Sequence, residues 1–351
     1  MKAKPLTIRR TGGLQLAAIF LGIAGLLAYA ASKFTSGRLV VILTAAGLLG
    51  CVITLTMLAF RLKAPGKVIL KTVLSLLTII AGAYLILFGF VYFFQDVVAN
   101  QTSSFFQPKT LSVEAAQALD APDVNPLDIT TPDGVHLRGW LVRNSDAEKL
   151  PLLIYFGGSG SESSEMLPLV SKLDEWSVAL VNYRGFGLSD GTPTQSNALE
   201  DALLIYDSLT ARADIDPDHV VAMGYSLGTG VAVYLSEQRP TMGTILVSPY
   251  DYWSLIGLKQ TPLFAPLSGI MKPYFDSLSR APGIHTPLLC LIGSADVFVP
   301  PKRSLNLVNA WGGETEVLSF PGEDHGLLFH DNSSWTDIHE FLSTIWAERL
   351  N

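Results

Sequence analysis

A serine between glycines, six histidines and a scatter of carboxylates are the residues of this chain that could do covalent chemistry. Ser226 stands in Gly224-Tyr225-Ser226-Leu227-Gly228, with Gly230 close behind. Small residues two places either side let a strand and a helix approach around a serine held on a tight, strained turn. A serine hydroxyl is a poor nucleophile at neutral pH, so it needs a base, and the base needs a carboxylate to orient it. Of His136, His219, His285, His325, His330 and His339, only His325, in PGEDHG, directly follows a strand-like run downstream of the serine. Asp296, in LIGSADVFVP, follows another such run and falls between the two, which is the chain order serine, acid, histidine. Asp251 and Asp276 compete for the acid's place but lie in an insertion at 250–285, where they read as lid or capping carboxylates; Asp324 reads as a loop carboxylate beside the histidine. Such a set suits acyl transfer through a covalent acyl-enzyme.

The oxygen that becomes negative during attack needs two backbone N–H donors. Leu227, the residue after the serine, should supply one. The other should come from Gly157-Gly158-Ser159-Gly160, a glycine-rich loop whose backbone can approach a substrate closely. Asp324, His325 and His330 match no defined metal-ligand spacing, and no paired Cys/His motif occurs, so neither metal nor organic cofactor is expected.

These residues have to be carried by elements. Pro132-Asp133-Gly134 marks a turn between the strand-like runs 127–131 and 135–142. Apolar, β-rich runs follow at 151–156, 177–183, 219–225, 243–249, 287–293 and 315–320, and segments of helical periodicity lie at 196–212, 227–238, 301–311 and 333–347. A hairpin followed by alternating continuous apolar strands and helices predicts a mostly parallel sheet with helices on both faces, in which chemistry collects at the C-terminal ends of the strands. Ser226, Asp296 and His325 all fall there. The insertion at 250–285 contains Tyr250, Tyr252, Trp253, Phe264, Pro266, Met271 and Phe275; it reads either as a packed lid or as an apolar wall for an acyl group, with Tyr250 and Trp253 joining Gly158 and Tyr225 as candidate substrate contacts.

Composition divides the chain. Only 16% of its 351 residues are charged, and the formal net charge is −7, yet residues 1–95 hold ten Lys and Arg and no Asp or Glu, for +10, leaving 14 basic and 31 acidic side chains in residues 96–351, for −17. An acidic domain would repel phosphates, which excludes a nucleic-acid binder. Three uncharged apolar runs, 14–31, 39–60 and 73–94, each approach the about 20 residues of a membrane-crossing helix. The expected organisation is therefore a three-helix membrane anchor at 1–95, a linker at 96–121 and a catalytic domain at 122–351. Basic residues in the N-terminal tail and second loop place those on the cytoplasmic side, so a multi-pass protein with an extracytoplasmic catalytic domain is expected, with the lipid bilayer as a partner. Cys51 and Cys290 are too few and too separated for a disulfide framework.

Together, GYSLG at 224–228, VNYRGFGLSDG at 181–191, YFGGSG at 155–160, FDSL at 275–278 and the segments around Asp296 and His325 resemble the α/β-hydrolase superfamily, and within it the serine-aminopeptidase-like branch that includes membrane-tethered members. The resemblance covers about residues 125–347. It implies the α/β-hydrolase fold with a short lid, Ser226 as nucleophile, Asp296 as acid, His325 as base and the Leu227 N–H as one oxyanion donor. Many relatives carry His-Gly-Asn where this chain has Gly157-Gly158-Ser159; the substitution keeps a main-chain donor, and the resemblance implies the Ser159 N–H as the second. Family likeness does not fix the substrate. The expected activity is cleavage of carboxylic ester-type bonds, with a small-molecule acyl or lipid-like substrate. The alternatives are an exopeptidase, which would need a carboxylate such as Asp251 or Asp276 for a free α-amino group, and a non-catalytic binding module.

Overall fold

A computed structural model describes residues 105–119, 121–253 and 274–350, with residue 50 and some positions between 72 and 83. The chain divides into two compact units, and the one described below comprises Val97–Pro262 and Pro273–Asn351.

An eight-stranded sheet forms its centre, built from β1 (Val124–Thr130), β2 (His136–Arg143), β3 (Leu150–Phe156), β4 (Ser177–Val181), β5 (Ile215–Tyr225), β6 (Gly243–Val247), β7 (Leu288–Gly293) and β8 (Thr315–Phe320). Their spatial order is β1-β2-β4-β3-β5-β6-β7-β8. Only β2 runs against its neighbours; β3 to β8 are parallel. Burial explains the composition of the strands. Every residue of β3, β4, β6 and β7 is buried, which requires apolar side chains on both faces and so yields continuous rather than alternating runs. The edge strands β1 and β8 are mostly exposed, and β1 places Pro126 where a missing N–H costs no ladder bond.

Helices precede, connect and follow the strands: α1 (Val113–Gln117) lies before β1, α2 (Leu167–Val170), α3 (Gln195–Thr210), α4 (Gly228–Gln238), α5 (Ser277–Arg280) and α6 (Pro301–Val308) lie between strands, and α7 (Leu327–His330) and α8 (Asn332–Leu350) follow β8. The start of α3 is set by a capping box, in which Asn197 N–H donates to Thr194 Oγ1 at 3.2 Å and Thr194 N–H donates to Asn197 Oδ1 at 2.7 Å. From α4, Val231, Ala232, Val233 and Leu235 are wholly buried. The helix that follows Ser226 is thus locked into the core.

The expectation of three transmembrane helices is overturned. Among the described residues no helix is long and apolar enough to cross a membrane; nearly all of 14–31 and 39–60 and most of 73–94 lie outside the described residues. α8 has 19 residues, the length of a span, but it interrupts its apolar stripe with Asp337, His339 and Glu340, whereas a span needs about 20 predominantly apolar residues in succession. The readings that depended on the spans, a multi-pass integral membrane protein, an extracytoplasmic domain and a bilayer partner, are withdrawn with them.

The segment expected to be a linker is fastened to the sheet domain from Phe106 onward. Phe106 is buried, Thr110 forms a parallel bridge to Gly187, Leu111 N–H donates to Gly187 C=O at 3.0 Å and Gly187 N–H donates to Lys109 C=O at 2.8 Å.

Candidate active site

The C-terminal end of β5 lies mid-sheet, between β3 and β6. There the chain reverses into α4 so sharply that Ser226 takes φ +52°, a left-handed conformation that costs a non-glycine residue about 1–3 kcal/mol. The flanking glycines are steric requirements. A Cβ on Gly224 would lie 2.5 Å from Gly228 O, and one on Gly228 would lie 2.0 Å from Phe156 O and 2.6 Å from Gly157 O. Strand, helix and the loop after β3 can pack around the serine only because neither carries a side chain. Ser226 N–H donates to Val247 C=O at 3.0 Å, and Thr229 N–H and Oγ1 both donate to Ser226 C=O.

His325 and Asp296 arrive from the loops after β8 and β7. His325 Nε2 lies 2.8 Å from Ser226 Oγ, and its Nδ1 lies 2.7 Å from Asp296 Oδ2. The Asp296 side chain is 1% exposed and the His325 side chain 24%. Asp296 Oδ1 accepts the N–H groups of Phe298 at 2.9 Å and Val299 at 2.8 Å, so a buried carboxylate is satisfied on both oxygens and its orientation is set. The two loops are tied to each other: Ala295 N–H donates to Glu323 C=O at 2.8 Å, and Gly322 N–H to Ser294 Oγ at 2.9 Å. Gly293 permits the approach, since a Cβ there would meet Asp324 O at 2.4 Å.

The imidazole is also held from its sides. Its ring centroid lies 4.8 Å from that of Phe298 and 5.4 Å from that of Tyr225. Tyr225 donates its hydroxyl to the His325 carbonyl at 2.8 Å; burial pushes this phenol's pKa up, which favours the protonated, donating form. Neither Phe298 nor this tyrosine bond was expected, because their partners are remote in sequence.

Among the described residues the N–H groups of Gly158, Ser159 and Leu227 have no acceptor. Main-chain N–H groups without an acceptor are the kind of donor that an oxyanion site requires. A Cβ on Gly158 would lie 3.2 Å from the Tyr225 ring, which keeps that loop flush against the elbow. Tyr250, expected in a substrate wall, is wholly buried, and its hydroxyl donates to Leu227 C=O at 2.9 Å, so its side chain braces the turn after Ser226. Trp253, 4% exposed, packs on the rings of Tyr250 and Phe298 at 5.0 and 6.0 Å. Phe264, Pro266 and Met271 of the insertion lie outside the described residues.

The competing carboxylates are occupied elsewhere. Asp251, 2% exposed, accepts Arg303 Nη1 and Asn306 Nδ2; Asp276 caps α5 by accepting Ser279 N–H at 3.0 Å; Asp324 accepts Gly326 N–H at 2.7 Å.

A mostly parallel sheet with a serine on a strained strand-to-helix turn, and an acid and a histidine delivered from later strands, agrees with the comparison of sequences: a family model described as the alpha/beta hydrolase fold matches residues 151–266. The chain carries the fold of the alpha/beta hydrolase superfamily. It is 28% identical over 251 residues to protein Rv2307c of Mycobacterium tuberculosis, which spans 71% of this chain and 88% of that one. It is 30% identical over 225 residues to human Protein ABHD12B, spanning 56% of this chain and 62% of that one. Among solved structures, the Pyrococcus furiosus esterase Pf2001 superposes with a TM-score of 0.53 at 19% identity, over 69% of this chain and 98% of that one. The α/β-hydrolase match at 151–266 includes the loop at 157–160 and Ser226 but stops short of Asp296 and His325.

Proposed function

We propose that this protein is a serine hydrolase that cleaves carboxylic ester-type bonds through an acyl-enzyme. The observation that carries the reading is the unbroken relay from Ser226 Oγ through the His325 ring to Asp296, with links of 2.8 and 2.7 Å. In the first half-reaction Ser226 Oγ bonds to the carbonyl carbon while its proton passes to His325 Nε2. Asp296 holds the imidazolium, and the N–H groups of Leu227 and Ser159 take the oxyanion. The imidazolium then protonates the leaving alkoxide as the carbon–oxygen bond breaks. In the second, His325 takes a proton from water, the water oxygen bonds to the acyl carbon, and Ser226 recovers its proton as the acid leaves. A non-catalytic binding module would have no use for a strained serine aimed at a buried histidine and carboxylate.

Ester specificity is favoured over exopeptidase activity because Asp251 is buried and paired with Arg303 and Asp276 uses Oδ1 to cap a helix, so both candidate carboxylates for an α-amino group already have structural partners. The name of the Pyrococcus furiosus esterase points the same way. An apolar acyl group suits the surroundings, since Tyr225 and Phe298 flank the histidine and Phe329, 36% exposed, packs edge-on against Tyr225.

The test is labelling of the full chain by a fluorophosphonate, then turnover of p-nitrophenyl acyl esters of increasing chain length beside aminoacyl anilides. Wild type should label and Ser226→Ala should not, with turnover down on the order of 10⁴-fold or more. No labelling of wild type, or equal labelling of Ser226→Ala, would sink the reading; faster turnover of the anilides would replace ester with amide specificity.

A further inference from the structure

The loop Gly157-Gly158-Ser159-Gly160 presents a physical difficulty. Three of its four residues are glycine, and glycine has the most backbone freedom to lose on ordering, yet oxyanion donors contribute only if they are fixed before the reaction. Something outside the loop has to hold it. Two donors do so. Tyr183 donates its hydroxyl to Gly157 C=O at 3.0 Å, and Gln107 donates its backbone N–H to Ser159 C=O at 2.6 Å. The carbonyls that bracket the Gly158 and Ser159 N–H groups are thereby both tethered.

The two donors form one unit. Phe106, beside Gln107, packs edge-to-face on the Tyr183 ring with centroids 5.6 Å apart, and on Phe186 and Phe275 at 6.3 Å each. The segment 105–111 thus forms a strap across the domain, pinned further along by its bonds to Gly187. Gly187 cannot carry a side chain, because a Cβ there would lie 2.3 Å from Asn182 Nδ2 and 2.8 Å from Glu162 Oε1, and Glu162 lies two residues beyond the oxyanion loop. Tyr183 is buried, which pushes its phenol pKa up and keeps it a donor. The strap lies outside the α/β-hydrolase match at 151–266, so a segment not part of that match reaches the reaction centre.

We infer that Tyr183 and the strap around Phe106 and Gln107 are positioning residues that preset the Ser159 N–H for the oxyanion. This rests on the serine-hydrolase reading, in which Ser159 supplies the second donor. Neither residue touches substrate. Their effect belongs in kcat and leaves KM nearly unchanged, since a donor used only by the oxyanion acts in the transition state.

Tyr183→Phe removes one hydroxyl and leaves the aromatic packing. In the full chain, with active sites counted by fluorophosphonate, kcat for a p-nitrophenyl ester should fall about 10- to 100-fold with KM within about twofold. The matching thionoester, which puts a larger and weaker-accepting sulfur at the oxyanion position, should lose less, so that the ester-to-thionoester rate ratio falls about tenfold. Gln107→Pro, which deletes the backbone donor, should behave alike and decides the matter if Tyr183→Phe does not fold. An unchanged kcat per labelled site, or a lower kcat with an unchanged ratio, overturns the inference. Absence of label and turnover in wild type overturns the underlying reading instead, so the two failures are distinguishable.

Discussion

At the residue scale, the site is a histidine whose position is determined three times over: by Asp296 at Nδ1, by Ser226 at Nε2 and by the Tyr225 hydroxyl on its carbonyl. In the proposed mechanism the first two bonds form the reaction path, and the third positions the ring. Asp296→Asn should keep the packing but favour the wrong imidazole tautomer, lowering kcat about 10⁴-fold, measured with p-nitrophenyl acetate. Tyr225→Phe deletes a bond with a net contribution of about 1 kcal/mol, so kcat should fall about threefold to tenfold with fluorophosphonate labelling still complete; a loss as large as that of Asp296→Asn would give Tyr225 a part in the chemistry itself. Serine, acid and histidine could be read from type and chain order. Tyr225 could be singled out as a neighbour of the serine but not as the anchor of a histidine that lies 99 residues after Ser226, because no local pattern encodes a hydroxyl meeting a distant carbonyl.

At the element scale, the elbow works because β5, α4 and the loop after β3 share a space too small for side chains. Gly228→Ala would drive a methyl into Phe156 O and should destabilise the domain by about 1–3 kcal/mol or more while abolishing labelling, as measured by denaturant midpoint and fluorophosphonate incorporation. A variant with normal stability and labelling would mean that the helix can shift away at no cost. The strands were legible because burial on both faces demands continuous apolar runs, and the helices because their caps and periodicity are local. The strap at 105–111 was not, since a short polar stretch with two phenylalanines looks like any linker until its partners, Gly187, Tyr183 and Ser159, are assembled by the fold. The burial of Tyr250 was not legible for a related reason: an aromatic in an insertion can face a cleft or the core, and its bond to Leu227 C=O exists only in the assembled fold.

At the scale of the whole molecule, Arg184 ties the hairpin turn to the helical layer. It donates to both oxygens of Asp133 and both of Asp201. The guanidinium holds the Asp133 carboxyl at about 2, below its ordinary 3.8. A carboxylate with a lowered folded pKa stabilises the fold fully above its unfolded value and loses that contribution as pH falls through the folded one. Thermal stability should therefore decline between about pH 4 and pH 2, and Asp133→Asn should flatten the decline in that window; an unchanged slope would assign the acid sensitivity to other carboxylates. The same scale corrects the reading of the N-terminal third, where uncharged apolar runs suggested spans but no described helix is both long and apolar enough.

The amino-acid sequence by itself made the mostly parallel α/β sheet and the chain order of its strands legible, and it singled out Ser226, Asp296 and His325, which the structure brings within hydrogen-bond distance of one another, because each depends on local signals: periodicity, turn chemistry and the placement of polar residues at strand ends. Tertiary structure alone decided what holds those residues still. The tether from Tyr183 to Gly157, the strap at Ser159, the anchor from Tyr225 to His325 and the diversion of Asp251 to Arg303 all join groups far apart along the chain, and hydrogen-bond geometry of that kind exists only once the sheet has set its strands side by side.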